Sequence, residues 1–124
     1  MPDRHPVALL LVEDDDLVRL TIALMLEDLG LAVVEAATGE AALGLVKGGL
    51  KADALVTDID LGPGLSGLQL AEAVHALRPE LPVLFITGRP ATLAGRPLRA
   101  GEAYLPKPFG GEALARTVRR LLPA

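Results

Sequence analysis

An open α/β sheet with mostly parallel strands and helices on both faces is the fold class this sequence predicts. Three observations point to it. Short apolar runs alternate with helix-period segments from one end of the chain to the other. Four of those runs are followed directly by a carboxylate, a hydroxyl or an amine, and the carboxyl edge of such a sheet is where ligands bind. The 124 residues, 51% of them hydrophobic, suit one domain with one core, spanning residues 1–124 with its ordered part at about 7–122.

The elements follow in order. Residues 7–12 are short, continuous and apolar, which reads as a buried strand. Residues 16–29 read as a helix, capped by Asp15 or Asp16 and stopped by Gly30. A second strand is expected at 31–36. Thr38 then caps a helix that Gly48-Gly49 ends. The third strand is expected at 53–57. Ser66 caps a third helix, which Pro79 terminates. The fourth strand is expected at 81–86, a short fifth at 103–105, and a last helix at 110–122. The rhythm breaks between Thr87 and Glu102. Pro90, Gly95 and Pro97 leave room for one helical turn at most, so the helix due after the fourth strand is expected to be short or missing.

Composition narrows the function. The aromatic share is 2%, too low for a base-stacking platform, and the net charge of −4 argues against a nucleic acid partner. No cysteine is present, which excludes disulfides, thiolate metal sites and Cys nucleophiles. No segment reaches the roughly 18 apolar residues of a membrane helix, and residues 1–6 lack a signal peptide's apolar stretch. A cytoplasmic protein without a membrane partner is expected.

The strand ends carry the chemistry. Glu13, Asp14 and Asp15 follow the first strand, Asp58 the third, Thr87 the fourth and Lys107 the fifth. Mg²⁺ (or Mn²⁺) wants hard oxygen ligands and takes one or two carboxylates from a protein. Asp14 and Asp58 supply them, Glu13 acts directly or through water, and the Asp60 backbone carbonyl is placed to add another. A carboxylate is also a nucleophile toward phosphorus. Charge developing on the phosphoryl oxygens then needs cations and donors on several sides, for which Lys107, Thr87 and the N–H groups after Asp58 are suited. Each feature has a plainer reading: Asp15 or Asp16 as a helix cap, Asp58 as a turn residue, Thr87 as a strand end, Lys107 as a loop lysine. Their joint occurrence in this order favours the phosphoryl site.

These residues resemble the receiver domain of two-component response regulators. The match runs from about residue 7 to 122. It rests on Leu-Leu-Val-Glu-Asp-Asp (10–15), Leu-Val-Thr-Asp-Ile-Asp-Leu (55–61), Phe-Ile-Thr-Gly (85–88) and Tyr-Leu-Pro-Lys-Pro-Phe (104–109). The resemblance implies a flavodoxin-like five-stranded sheet of order 2-1-3-4-5. It implies Asp58 as phosphoacceptor, Glu13 and Asp14 as the metal pair, Thr87 and Tyr104 as switch residues, Lys107 as the phosphoryl partner and a cis Lys107-Pro108 bond. It also implies a sensor histidine kinase or histidine phosphotransfer protein as donor and an unknown downstream protein as target. The chain would be no enzyme, but a phosphoacceptor that assists its own phosphorylation and dephosphorylation.

Departures from the family pattern add expectations. The loop at 61–67 is one residue longer than the commonest form, and its glycines suggest a flexible lip over the pocket. Arg89, two past Thr87, is expected to face Asp60, two past Asp58, and to modulate the site. On the first helix, Val18, Ile22, Met25 and Leu29 are expected to face the core, which leaves Leu20, Ala23 and Leu24 as a partner surface. Arg116, Arg119 and Arg120 are expected to form a solvated face on the last helix. His5 is expected in a frayed terminus and His75 facing solvent. Only Pro123-Ala124 follows Leu122, so output is expected through a protein contact or a phosphoryl relay, whether the chain stands alone or comes from a hybrid kinase. The alternatives are a phosphorylation-independent pseudo-receiver and, more remotely, a haloacid-dehalogenase-type phosphatase suggested by Asp58-Ile59-Asp60.

Overall fold

The computed structural model describes residues 7–89 and 96–122. His5, Pro90 and Gly95 lie outside them. Five strands form one parallel sheet of order β2-β1-β3-β4-β5. They are β1 (Ala8–Val12), β2 (Ala32–Ala36), β3 (Ala54–Asp58), β4 (Val83–Thr87) and β5 (Glu102–Pro106). Among the described residues the helices are α1 (Asp16–Glu27), α2 (Gly39–Lys47), α3 (Gly67–Leu77) and α4 (Gly111–Leu121). The element order and the strand order agree with the expectations above, and Asp58 and Thr87 prove to be the last residues of their strands.

Strand alternation splits the core into two layers. Leu10, Val12, Leu55, Val83 and Phe85 face α2 and α3, where they meet Val46, Leu70 and Val74. Leu9, Leu11, Val56, Leu84 and Ile86 face α1 and α4, where they meet Ile22, Leu26, Leu114 and Val118. Because both faces are covered, the strands read as continuous apolar runs rather than alternating ones. The start of each of the first three helices is set by a side chain. Asp15 accepts the Val18 N–H, Thr38 accepts the Ala41 N–H, and Ser66 with Gln69 closes a capping box.

Between β4 and β5, residues 88–89 and 96–101 contain no helix. Packing there comes from charged side chains. The Arg96 guanidinium lies 5.2 Å from the centroid of the Phe85 ring. It also pairs with Glu102 at 2.9 Å and with Glu72 of α3 at 3.5 Å, while Arg99 pairs with Glu72 at 2.7 Å. Burial works to raise the Glu102 pKa, but the hydrogen bonds from Arg96 and from the Arg99 N–H bring it below its usual value.

This cover corrects the expectation for His75. Its ring is mostly buried, with Nε2 at 3.2 Å from the Leu81 carbonyl oxygen and Nδ1 at 3.9 Å from Glu102. The α1 assignment also shifts. The buried stripe runs through Ile22, Ala23 and Leu26, while Val18, Met25 and Leu29 are only partly covered. Ala23 is 2% exposed and belongs to the core, so it cannot be a partner residue. Leu20 and Leu24 are half exposed, as expected, and Leu17 at 72% joins them. Arg116, Arg119 and Arg120 are all exposed.

Candidate site at the carboxyl edge of the sheet

Parallel register brings the strand ends into one row. Val12 pairs with Thr57, Asp58 with Ile86 and Thr87 with Pro106. Glu13, Asp58, Thr87 and Lys107 therefore stand side by side at the edge where β1, β3, β4 and β5 finish. The Lys107-Pro108 bond is cis, and the Lys107 N–H donates to the Thr87 carbonyl at 2.9 Å. The lysine side chain runs inward. Its Nζ donates to Asp58 Oδ2 at 2.9 Å and to Glu13 Oε1 at 3.0 Å.

Both carboxylates are deeply buried, Glu13 at 2% and Asp58 at 6% exposure. Glu13 Oε2 accepts the Asp15 N–H at 3.1 Å, and Asp58 Oδ1 accepts the Asp60 N–H at 3.1 Å. Burial raises the Glu13 pKa and the Asp58 charge adds to it, against the lowering hydrogen bonds from the Asp15 N–H and Lys107. Burial depresses the Lys107 pKa, but the two carboxylates outweigh it and hold the ammonium above its usual value. Lys107 is thus charged at neutral pH, wedged between two acids that need a cation.

Asp14 completes an acidic group. Glu13, Asp14 and Asp58 each offer an oxygen, and these atoms lie within 4.8 Å of one another. Three carboxylates of this kind form a hard-oxygen set, which suits Mg²⁺ or Mn²⁺ rather than a thiophilic ion. Gly62, at φ +77°, runs so close that a Cβ there would sit 3.3 Å from Asp14 Oδ2. A side chain there would be strained by the positive φ and tight against the Asp14 carboxylate.

Two contacts anchor the end of the loop that carries Gly62. Glu40, in the first turn of α2, accepts the Leu65 N–H at 2.8 Å, and the capping box fixes Ser66 immediately after. Nothing in the local sequence names this partner from α2.

The other expected residues fall as follows. Thr87 is fully buried, and its hydroxyl accepts the Arg89 N–H at 2.9 Å. Register and strand alternation put Phe85, Thr87 and Tyr104 on one face of the sheet. The Tyr104 hydroxyl is buried with no hydrogen-bond partner among the described residues. Arg89 meets Asp60 as expected, with Nη2 to Oδ1 at 2.7 Å and Nε to Oδ2 at 3.3 Å. That guanidinium contact lowers the Asp60 pKa.

Three residues that the sequence reading missed also shape the site. Arg19 donates to the Glu13 carbonyl, Glu40 holds the glycine loop, and Gly67 lets α3 approach Asp58 closely.

An apolar groove of about 350 Å³ opens beside the site. It is lined by Leu17, Val18, Thr21, Ile22 and Met25 of α1 with Lys107, Pro108 and Phe109. Among the described residues, no helix is long and apolar enough to cross a membrane.

Known proteins resemble this chain in sequence and fold. The family model for the response regulator receiver domain matches residues 9–119. The transcriptional regulatory protein FixJ of Azorhizobium caulinodans is 36% identical over 98% of this chain and 57% of its own. Response regulator MprA of Mycolicibacterium vanbaalenii is 37% identical over 94% of this chain and 51% of its own. The chain spans about half the length of these two curated relatives. Among solved structures, a response regulator receiver protein from Sinorhizobium medicae superposes with a TM-score of 0.88 at 28% identity, over 94% of both chains. The receiver domain of the hybrid histidine kinase CckA superposes with a TM-score of 0.79 at 33% identity, over 94% of this chain and 99% of that one. The strand order, the edge at which the acids and Lys107 meet, and sequence identity above 30% over nearly the whole chain agree: the protein belongs to the response regulator receiver family.

Proposed function

We propose that Asp58 accepts a phosphoryl group from a phosphohistidine and that Thr87 and Tyr104 read out the change. The observation that carries this reading is the contact of Lys107 Nζ with Asp58 Oδ2 at 2.9 Å beside a three-carboxylate group. One Asp58 oxygen forms a bond to phosphorus as the phosphorus–nitrogen bond to the donor imidazole breaks. The leaving imidazole keeps its electron pair and takes a proton. Lys107 stays within reach of the transferred group and balances charge on its oxygens. The N–H groups that follow Asp58 supply further donors. Glu13, Asp14, Asp58 and the Asp60 carbonyl would hold Mg²⁺ or Mn²⁺, which when bound neutralises charge on the phosphoryl oxygens.

The Thr87 hydroxyl, engaged by the Arg89 N–H, is the candidate to turn toward the new group. Tyr104, on the same face of the sheet, would follow into the space released. The donor would dock on α1, beside the site. Leu17, Leu20 and Leu24 present an exposed apolar stripe on α1, and histidine-bearing helices of a sensor kinase or phosphotransfer protein would pack there. The downstream target is a protein, and the setting is the cytoplasm.

Incubation with Mg²⁺ and acetyl phosphate tests the acceptor. Intact mass is expected to show a single phosphoryl adduct that EDTA abolishes and that Asp58→Asn does not form. Should acetyl phosphate fail as donor, beryllofluoride binding decides, and no binding there moves the reading to a phosphorylation-independent binding module.

The ion pair of Arg89 with Asp60, two residues past Thr87 and Asp58, would limit water access to the phosphoryl group. The arginine side chain is 72% exposed, so its removal should barely change stability. Arg89→Ala is expected to shorten the phosphoryl lifetime severalfold; an unchanged dephosphorylation rate would remove the gate.

A further inference from the structure

We propose that Arg19 is a positioning residue for the acidic pair Glu13 and Asp14, and that it strengthens divalent cation binding although it is itself a cation. This rests on the reading that Glu13, Asp14 and Asp58 hold the metal.

The Arg19 side chain is only 17% exposed, although arginine ordinarily keeps its head in water. Its guanidinium spans three elements. Nη1 donates to the Glu13 carbonyl at 2.9 Å, Nη2 to Asp16 Oδ1 at 2.8 Å, and Nε to Glu35 Oε1 on β2 at 3.2 Å.

Glu13 lies one residue past β1, where ladder pairing ends. Its N–H still donates to the Ala36 carbonyl at 3.1 Å. Its own carbonyl turns to Arg19. Its carboxylate is held by the Asp15 N–H and by Lys107. Arg19 is thus the side chain that fixes the peptide joining Glu13 to Asp14. That peptide sets the direction in which Asp14 leaves the strand. A carbonyl left without its donor would turn toward water and carry Asp14 with it. Partners behind the ligands commonly fix ligand geometry in this way.

Two effects of opposite sign make the idea testable. As a positive charge near three carboxylates, Arg19 opposes a cation. As a clamp on the Glu13–Asp14 peptide, it favours one. The clamp should win, because the guanidinium holds the backbone behind the ligands and not their carboxylates, so its charge acts on the ion only at a distance.

The test is Mn²⁺ affinity of the full chain at neutral pH, read from the electron paramagnetic resonance signal of the unbound ion. Arg19→Met is expected to weaken Mn²⁺ binding about tenfold. Arg19→Lys keeps the charge without the fork and is expected to weaken it nearly as much. The pair Asp16→Asn with Glu35→Gln removes the ion pairs but leaves the carbonyl bond. Its affinity should stay within about twofold of the wild type, because exposed charges are screened. Circular dichroism checks the fold, and if the Met variant does not fold, the Lys variant decides.

Wild-type or tighter binding by the folded arginine variants would overturn the clamp. So would an affinity loss in the ion-pair control equal to theirs, since the arginine would then act through its salt bridges. If the wild type binds no Mn²⁺, or Asp14→Asn binds as well as the wild type, the metal reading itself fails and the clamp with it.

Discussion

Lys107→Met should destabilise the fold at neutral pH and make its stability rise on acidification. In the native chain the ammonium is the cation that lies between the buried carboxylates of Glu13 and Asp58. Without it the two acids face each other with Asp14 alongside, and the remaining N–H donors cannot neutralise them. Removing one partner of a buried pair costs about 3–5 kcal/mol. The lysine side chain is 28% exposed, so a loss nearer 2–4 kcal/mol is expected.

The pH dependence has a definite sign. Burial already raises the Glu13 pKa above its usual 4.5, and Lys107 restrains that rise. The variant lifts it further. A carboxyl with a raised folded-state pKa favours folding below its unfolded value and loses that advantage as pH climbs through the folded one. The melting-temperature gap to the wild type should therefore be widest near neutrality and narrow toward about pH 5. Millimolar Mg²⁺ should narrow it as well, by replacing the missing charge. Equal melting curves, or a gap indifferent to both pH and Mg²⁺, would mean that Lys107 does not compensate this cluster. Phosphorylation of the variant should slow by about two orders of magnitude, the usual cost of losing one charge-stabilising donor.

How far the site could be read from the sequence depended on where each partner lies. Asp58, Thr87 and Lys107 were legible because a strand end is a local event, and parallel strands carry their ends to one edge. The pairing of Arg89 with Asp60 was legible for the same reason, since both follow adjacent strands by the same offset. Ala23 was misplaced because the stripe on α1 was drawn through Val18, Ile22, Met25 and Leu29, whereas Leu26 is the residue that packs fully against the sheet. A helix with apolar residues nearly all round does not reveal its inner face by periodicity. His75 was misplaced because its cover comes from residues 96–102, a segment whose path the prolines leave open. Arg96 and Glu102 hold that segment by charge pairing, and no hydrophobic pattern signals that. The ties from Arg19 to Glu13 and from Glu40 to Leu65 join residues on different elements through backbone groups, which carry no sequence signature.

Gly67 shows the same blindness with the largest structural consequence. It opens α3 as the residue after the Ser66 cap, and its N–H donates to the Ile59 carbonyl at 2.8 Å. A Cβ at this position would run into the Asp58 carbonyl oxygen and come within 2.8 Å of the Ile59 Cα. Both are backbone atoms of the segment that carries the candidate acceptor, so no side-chain rotation relieves the clash. Either α3 retreats or the peptide after Asp58 turns, and the second disturbs the Asp60 N–H bond to Asp58 Oδ1. Gly67→Ala is expected to cost about 1–3 kcal/mol or more, as overpacking does. It should also weaken Mg²⁺-dependent phosphorylation. Gly44 lies inside α2, and a methyl group added there would meet nothing within 4 Å. Gly44→Ala should therefore stabilise by about 0.5–1 kcal/mol through helix propensity and a less flexible unfolded chain. Denaturant unfolding of the two variants checks the contrast. If both shift in the same direction, the close approach of α3 to Asp58 is not what makes glycine necessary at position 67.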